Sequence, residues 1–126
     1  ASGNIGQMDE IIKNKPEGFD VISGDDGITF PLITLGAVGV ISVLGNAFPA
    51  EFSKMNRLAL EGNYAEALTI HHQFTEIINL LFADGNPAGA KAMLNIMGMC
   101  ENKLRLPLVP AREATCEKLR AAWKAL

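Results

Sequence analysis

Apolar residues recur along this chain at two different periods. Ile5, Met8, Ile11 and Ile12 repeat at helical spacing and Pro16 ends the pattern, which predicts a helix over 5–15. Asp20-Val21-Ile22-Ser23 reads as a short strand closed by Gly24. A second helix is expected from Asp26, a suitable N-cap, to Leu35. Pro31 falls in or near its first turn, where proline does least harm, and Gly36 is a natural stop. From Gly39 to Leu44 the chain is nearly all apolar, broken only by Ser42. Strands buried on both faces of a parallel sheet have this pattern.

The rest of the chain reads as helix. Phe52, Met55, Leu58 and Ala59 share one face of a helix after Pro49. Residues 64–82 predict a long helix with a wide apolar face that includes Tyr64, Leu68, His71, Ile78, Leu81 and Phe82. Asp84-Gly85-Asn86-Pro87 breaks it, and Ala88 to Met97 forms another helix ended by Gly98. Leu104-Arg105-Leu106-Pro107-Leu108-Val109-Pro110 is expected to be extended, because proline restricts itself and the residue before it. A last helix carries Cys116, Leu119, Trp123 and Leu126 on one stripe. The strand–helix–strand unit implies a right-handed parallel crossover. Two parallel strands cannot make a sheet covered on both faces, so the chain reads as part of a larger α/β structure.

Composition narrows the function classes. The chain has 126 residues, 48% of them hydrophobic and 20% charged, which suits a single globular domain with a real core. Its formal charge is -3 and its 11 basic residues are scattered, which argues against nucleic-acid binding. No apolar run reaches the roughly 18–20 residues of a membrane span, and the start has neither the basic residues nor the apolar stretch of a signal peptide. The opening Ala1-Ser2-Gly3 lacks a methionine, so the expectation is a trimmed chain or a piece of a longer one. Two cysteines, Cys100 and Cys116, are too few for a disulfide framework, which points to a reducing, cytoplasmic setting.

In α/β folds chemistry sits beyond the carboxyl ends of the strands. Here these are Ser23-Gly24-Asp25-Asp26 and Leu44-Gly45-Asn46. Asp25 and Asp26 are neighbours and cannot both point the same way in a regular element. Loop hydrogen bonding and helix capping is the main expectation for them, with an acid/base or metal role as the rival. Gly24 lets a backbone or ligand approach closely, or else is a plain turn glycine. The second loop has no Lys or Arg before Lys54, which argues against phosphate. His71 and His72 face about 100° apart on a helix and do not chelate one ion. His71 is expected as a hydrogen-bonded core or interface residue, Cys100 and Cys116 as buried filler, and Met93, Met97 and Met99 as core. A nucleophilic lysine needs a desolvated pocket, and none of the seven lysines lies in an apolar strand. The residues show no triad, no metal set and no cofactor site.

Four stretches nevertheless occur together in a telling order: Ser23-Gly24-Asp25-Asp26, Gly39-Val40-Ile41-Ser42-Val43, Asn86-Pro87 with Lys91, and Leu104–Pro110. In combination they resemble the C-terminal part of the dihydrodipicolinate synthase family, pyruvate-dependent Schiff-base aldolases and lyases that include N-acetylneuraminate lyase. The resemblance covers the whole chain and weakens after Pro110. It implies the last two parallel strands of a (β/α)8 TIM barrel with their helices over residues 1–62, and a C-terminal helical extension over 63–126. It implies condensation of pyruvate with aspartate semialdehyde through a lysine imine, on the route to diaminopimelate and lysine, by a homotetramer. The Schiff-base lysine would lie just before Ala1, and the tyrosine, threonine and arginine of the family site in the missing half. Two pyruvate-site positions carry over, Gly24 and Ile41, both through the main chain. Gly85 and Gly89 stand where many relatives carry proline, which implies a looser loop there. Two rivals remain: a sialic-acid or keto-acid aldolase of the same family, and a non-catalytic helical interaction module. A half barrel would also leave apolar strand surface open, so the isolated chain is expected to self-associate.

Overall fold

The computed structural model describes all 126 residues. It contains helix α1 (Ile5–Asn14), strand β1 (Ile22–Ser23), helix α2 (Thr29–Leu35), strand β2 (Gly39–Val40) and helices α3 (Pro49–Leu60), α4 (Tyr64–Phe82), α5 (Ala88–Ile96) and α6 (Glu113–Lys124). The chain forms two compact units, Ala1–Ser42 with Ala50–His72, and Val43–Pro49 with Gln73–Leu126.

In the first unit α1 packs on α2. Asn4 caps α1, its side chain accepting the Gln7 N–H at 3.0 Å. Met8, Leu32 and Ala37 form a buried cluster, with Ile12, Ile28 and Leu35 packed against it. Burying one such leucine is worth roughly 2 kcal/mol. The helix stripe is narrower than its spacing predicts, since Ile5 and Ile11 stay exposed. Gly36 ends α2 at φ +113, giving its N–H to Ile33 while Ala37 reaches back to Leu32 at 2.9 Å. That left-handed turn brings Ala37 onto Leu32 and suits a glycine. His71 of α4 lies 5.7 Å from the Phe30 ring, and Phe30 meets Tyr64 edge-on. Burial, and then the neighbouring His72, pushes the His71 imidazole below its ordinary pKa.

The two strands pair in parallel, Ile22 with Gly39 and Ser23 with Val40. Both are shorter than expected. The expected 39–44 strand ends at Val40, and Leu44–Asn46 turns into a 3-10 helix. Ile41 is 79% exposed and Ile22 51% exposed, the open apolar strand surface expected when such a strand pair stands apart from the rest of a larger sheet. The helix expected from Asp26 opens instead with a 3-10 turn, Asp26–Ile28, capped by Asp25.

In the second unit Phe48 packs on Phe74 at 5.0 Å between ring centres, and α5 packs on α6. Leu44, Phe74, Ile77, Leu81, Met93 and Leu119 are all but fully buried. Gly89 is not a loop residue: it lies buried in the first turn of α5 against the backbone of Leu81. The 104–110 segment is not extended throughout. It turns at a cis Leu106–Pro107 bond, where the Leu108 N–H donates to the Arg105 carbonyl at 3.0 Å. The buried face of α6 is Thr115, Cys116, Leu119 and Ala122, while Trp123 lies at its margin and Leu126 beyond the helix.

Helix α6 begins without a side-chain cap of its own, and Asp84 supplies one from 28 residues upstream. Its carboxylate takes the Arg112 backbone N–H at 2.9 Å and the Arg112 Nε–H at 2.6 Å. Hydrogen bonds from the Arg112 side chain first, then from Thr115 and the Arg112 backbone, pull the Asp84 carboxyl down to about 2 from its ordinary value near 3.8. A carboxyl with a depressed folded-state pKa stabilises the fold above its unfolded pKa and loses that contribution as pH falls. Asp84→Asn should therefore lower the denaturation midpoint at neutral pH. The gap from the parent should narrow between roughly pH 4 and pH 2. Thermal melts of both chains across that window check this, and a pH-independent gap would refute it.

Candidate active site

Register brings the two expected pyruvate-site positions to one place. The Ile41 N–H donates to the Ser23 carbonyl at 2.9 Å, one step past the Ser23–Val40 pair. Gly24 and Ile41 thus sit at the carboxyl ends of adjoining strands, both exposed. Ala1 comes to the same spot: a Cβ built on Gly24 would meet the Ala1 Cβ at 3.3 Å. Gly24 therefore leaves room for the chain start beside it, which is the close-approach reading of that glycine. An open hollow of about 260 Å³ lies here, lined among others by Ala1, Met8, Val21, Ser23, Gly24 and Leu32.

Hydroxyls hold the turn after β1. The Thr29 hydroxyl donates to the Asp25 carbonyl at 2.7 Å and lies 3.0 Å from the Ser23 Oγ. The Ser23 Oγ in turn takes the Asp25 N–H at 3.2 Å and lies 3.0 Å from the Asp25 carbonyl. Asp25 also accepts the Gly27 N–H at 2.9 Å, so its carboxylate serves the turn. Asp26 is only 1% exposed and is not among the residues lining the hollow. In the sequence Ser23 stands out only as a strand end, and Thr29 does not stand out at all. The signal available was a threonine four residues after Asp25, the spacing at which a hydroxyl reaches back to a carbonyl.

The other candidates lie elsewhere. Gly45 and Asn46 are in a 3-10 turn of the second unit, where the Asn46 amide donates to the Val43 carbonyl at 3.0 Å. Cys116 is buried and its thiol pKa is raised, by burial first and then by Glu113, as befits inert filler. Cys100 is half-buried. No three His, Cys, Asp or Glu side chains gather to hold a metal ion, and no helix is long and apolar enough to cross a membrane.

This geometry has known counterparts. The 4-hydroxy-tetrahydrodipicolinate synthase of Phocaeicola vulgatus is 78% identical over 121 residues, which are 96% of this chain and 41% of that protein. The dihydrodipicolinate synthase structure from Thermotoga maritima superimposes with a TM-score of 0.95 at 39% identity, covering 99% of this chain and 43% of that one. The chloride-inhibited synthase from Acinetobacter baumannii complexed with pyruvate gives a TM-score of 0.93 at 34% identity, covering 98% of this chain and 43% of that one. The chain thus spans about two-fifths of the length of its relatives. Residues 1–126 match the Dihydrodipicolinate synthetase family throughout, and the chain belongs to that family.

Proposed function

We propose that this chain is the C-terminal part of a 4-hydroxy-tetrahydrodipicolinate synthase. In this reading the whole enzyme joins pyruvate to L-aspartate 4-semialdehyde in diaminopimelate and lysine biosynthesis. A lysine just before Ala1 attacks the pyruvate carbonyl, water leaves, and an imine forms. Loss of a methyl proton gives the enamine, which attacks the aldehyde carbon. The chain supplies the last two strands of a (β/α)8 barrel, with their helices, over 1–62 and a helical extension over 63–126. The enzyme needs no cofactor and works as a cytoplasmic homotetramer.

The observation that carries the reading is the meeting of Ala1, Gly24 and the Ile41 strand end. A lysine just before Ala1, separated from it by one acidic residue as the family resemblance implies, would leave from the rim of that hollow. Gly24 and Ile41 would then line bound pyruvate through their main chains. A full-length enzyme carrying this sequence should consume pyruvate and aspartate semialdehyde in equal amounts. Turnover with a sugar aldehyde and none with the semialdehyde would move the chain to the aldolase branch of the family.

A main-chain role makes the Ile41 side chain replaceable. In the full-length enzyme, where the rest of the barrel would cover a side chain that is 79% exposed here, Ile41→Val should cost about 0.5–1.5 kcal/mol of stability, a packing loss. Pyruvate affinity should hardly change. A loss of about tenfold in affinity, some 1.4 kcal/mol, at unchanged stability would show that the side chain itself touches the substrate. Titration with pyruvate alongside a urea melt separates the two.

A further inference from the structure

We propose that Thr29 is a positioning residue of the pyruvate site, its buried hydroxyl acting with that of Ser23 to fix the Gly24 main chain from behind. The proposal rests on the reading of Gly24 given above. Gly24 has no side chain with which to anchor itself, and it is the exposed residue between two fastened neighbours. On one side, Ser23 accepts the Ile41 N–H at its carbonyl at 2.9 Å and donates its hydroxyl to the Asp25 carbonyl at 3.0 Å. On the other, Asp25 is held by its N–H, by its carbonyl and by its carboxylate. Thr29 touches both neighbours, at 2.7 Å from the Asp25 carbonyl and 3.0 Å from the Ser23 Oγ. The Ser23–Ile41 bond extends the same frame to the second strand end, so one hydroxyl pair braces both positions.

Packing alone does not call for a hydroxyl at this place. Thr29 is fully buried and Ser23 only 2% exposed. Valine has nearly the shape of threonine and would fill the site without a polar atom to satisfy. A buried hydroxyl earns its place only through the bonds it makes, and here all of them go to the residues flanking Gly24. Catalysis is sensitive to small displacements of groups that orient substrate, so a brace of this kind reads out in substrate affinity.

The test uses the full-length enzyme with Thr29→Val and Thr29→Ser. Thr29→Val should raise the KM for pyruvate about threefold to tenfold, with kcat and the KM for the aldehyde far less affected. Thr29→Ser keeps the hydroxyl and loses a methyl, so it should melt earlier than the parent yet keep the parental pyruvate KM. A merely structural threonine would not separate the two variants in this way. If Thr29→Val does not fold, Ser23→Ala removes the partner hydroxyl and should raise the pyruvate KM likewise. A parental pyruvate KM in Thr29→Val, or an equal rise in Thr29→Ser, overturns the proposal. An unmodified enzyme that does not use pyruvate at all would overturn the underlying reading, and this proposal with it.

Discussion

Borohydride added with pyruvate is expected to leave the mass of the isolated 126-residue chain unchanged, while a full-length enzyme carrying it gains one reduced pyruvyl group. Imine formation needs a neutral lysine amine beside the substrate, and proteins obtain one by desolvation in an apolar pocket. The lysines here are Lys13, Lys15, Lys54, Lys91, Lys103, Lys118 and Lys124. Lys15 and Lys91 are half-buried and the other five are exposed. None lines the hollow at Gly24. The one tyrosine, Tyr64, lies at the start of α4 and is 47% exposed. In the proposed site this chain would bring only a main-chain wall at Gly24 and Ile41, which can shape a pocket and cannot form the imine. Mass spectrometry after trapping decides the matter. A stoichiometric adduct on one of these seven lysines would overturn both the inactivity of the chain and the place proposed for the nucleophile.

Gly89→Ala is expected to be the most damaging single substitution in the second unit. A Cβ on Gly89 would lie 2.6 Å from the Leu81 carbonyl carbon and 2.7 Å from its Cα, with the carbonyl oxygen nearer still. These are backbone atoms in the last turns of α4, so no side chain can swing aside. Leu81 itself is completely buried, which blocks retreat in the other direction. Overpacking of a tight core costs about 1–3 kcal/mol and sometimes more, and a backbone clash belongs at the upper end. Against a total stability of about 5–15 kcal/mol, that loss is large. Urea melts of the substituted and parental chains measure it. Equal midpoints would mean that α4 and α5 can part freely, contrary to the packing described.

The helices were legible in the sequence because helical periodicity is local. Residues 64–82 and the start at Ala88 match their expected limits, since the apolar spacing and the breakers Gly85 and Pro87 lie within the segment itself. The strands were legible in kind and place but not in length. An apolar run such as 39–44 reads the same whether it continues a ladder or turns under a core, and only the hydrogen-bond partners decide. Here the strand pairing ends at Val40, and the chain enters a 3-10 turn at Leu44. Prolines at 107 and 110 suggested an extended segment, yet the Arg105–Leu108 bond makes a turn of its middle.

The candidate site divides in the same way. Gly24 and Ile41 came from a resemblance of motifs, and the parallel register is what sets them side by side. Thr29 is not legible in the sequence, because a threonine at a helix start looks like any other and only tertiary contacts give its hydroxyl partners. Asp84 offered no clue to its role, since its partner Arg112 is 28 residues away in sequence.

By itself, then, the sequence determined the helices, the parallel strand pair and the motifs that pointed to the family. All of these depend on spacing within a segment or on composition. Tertiary structure alone decided where the strands stop, why Gly89 must lack a side chain, which distant carboxylate caps α6 and how two hydroxyls frame Gly24. Each of those depends on atoms brought together across the fold, and no local pattern encodes a distance between segments that chain folding has yet to join.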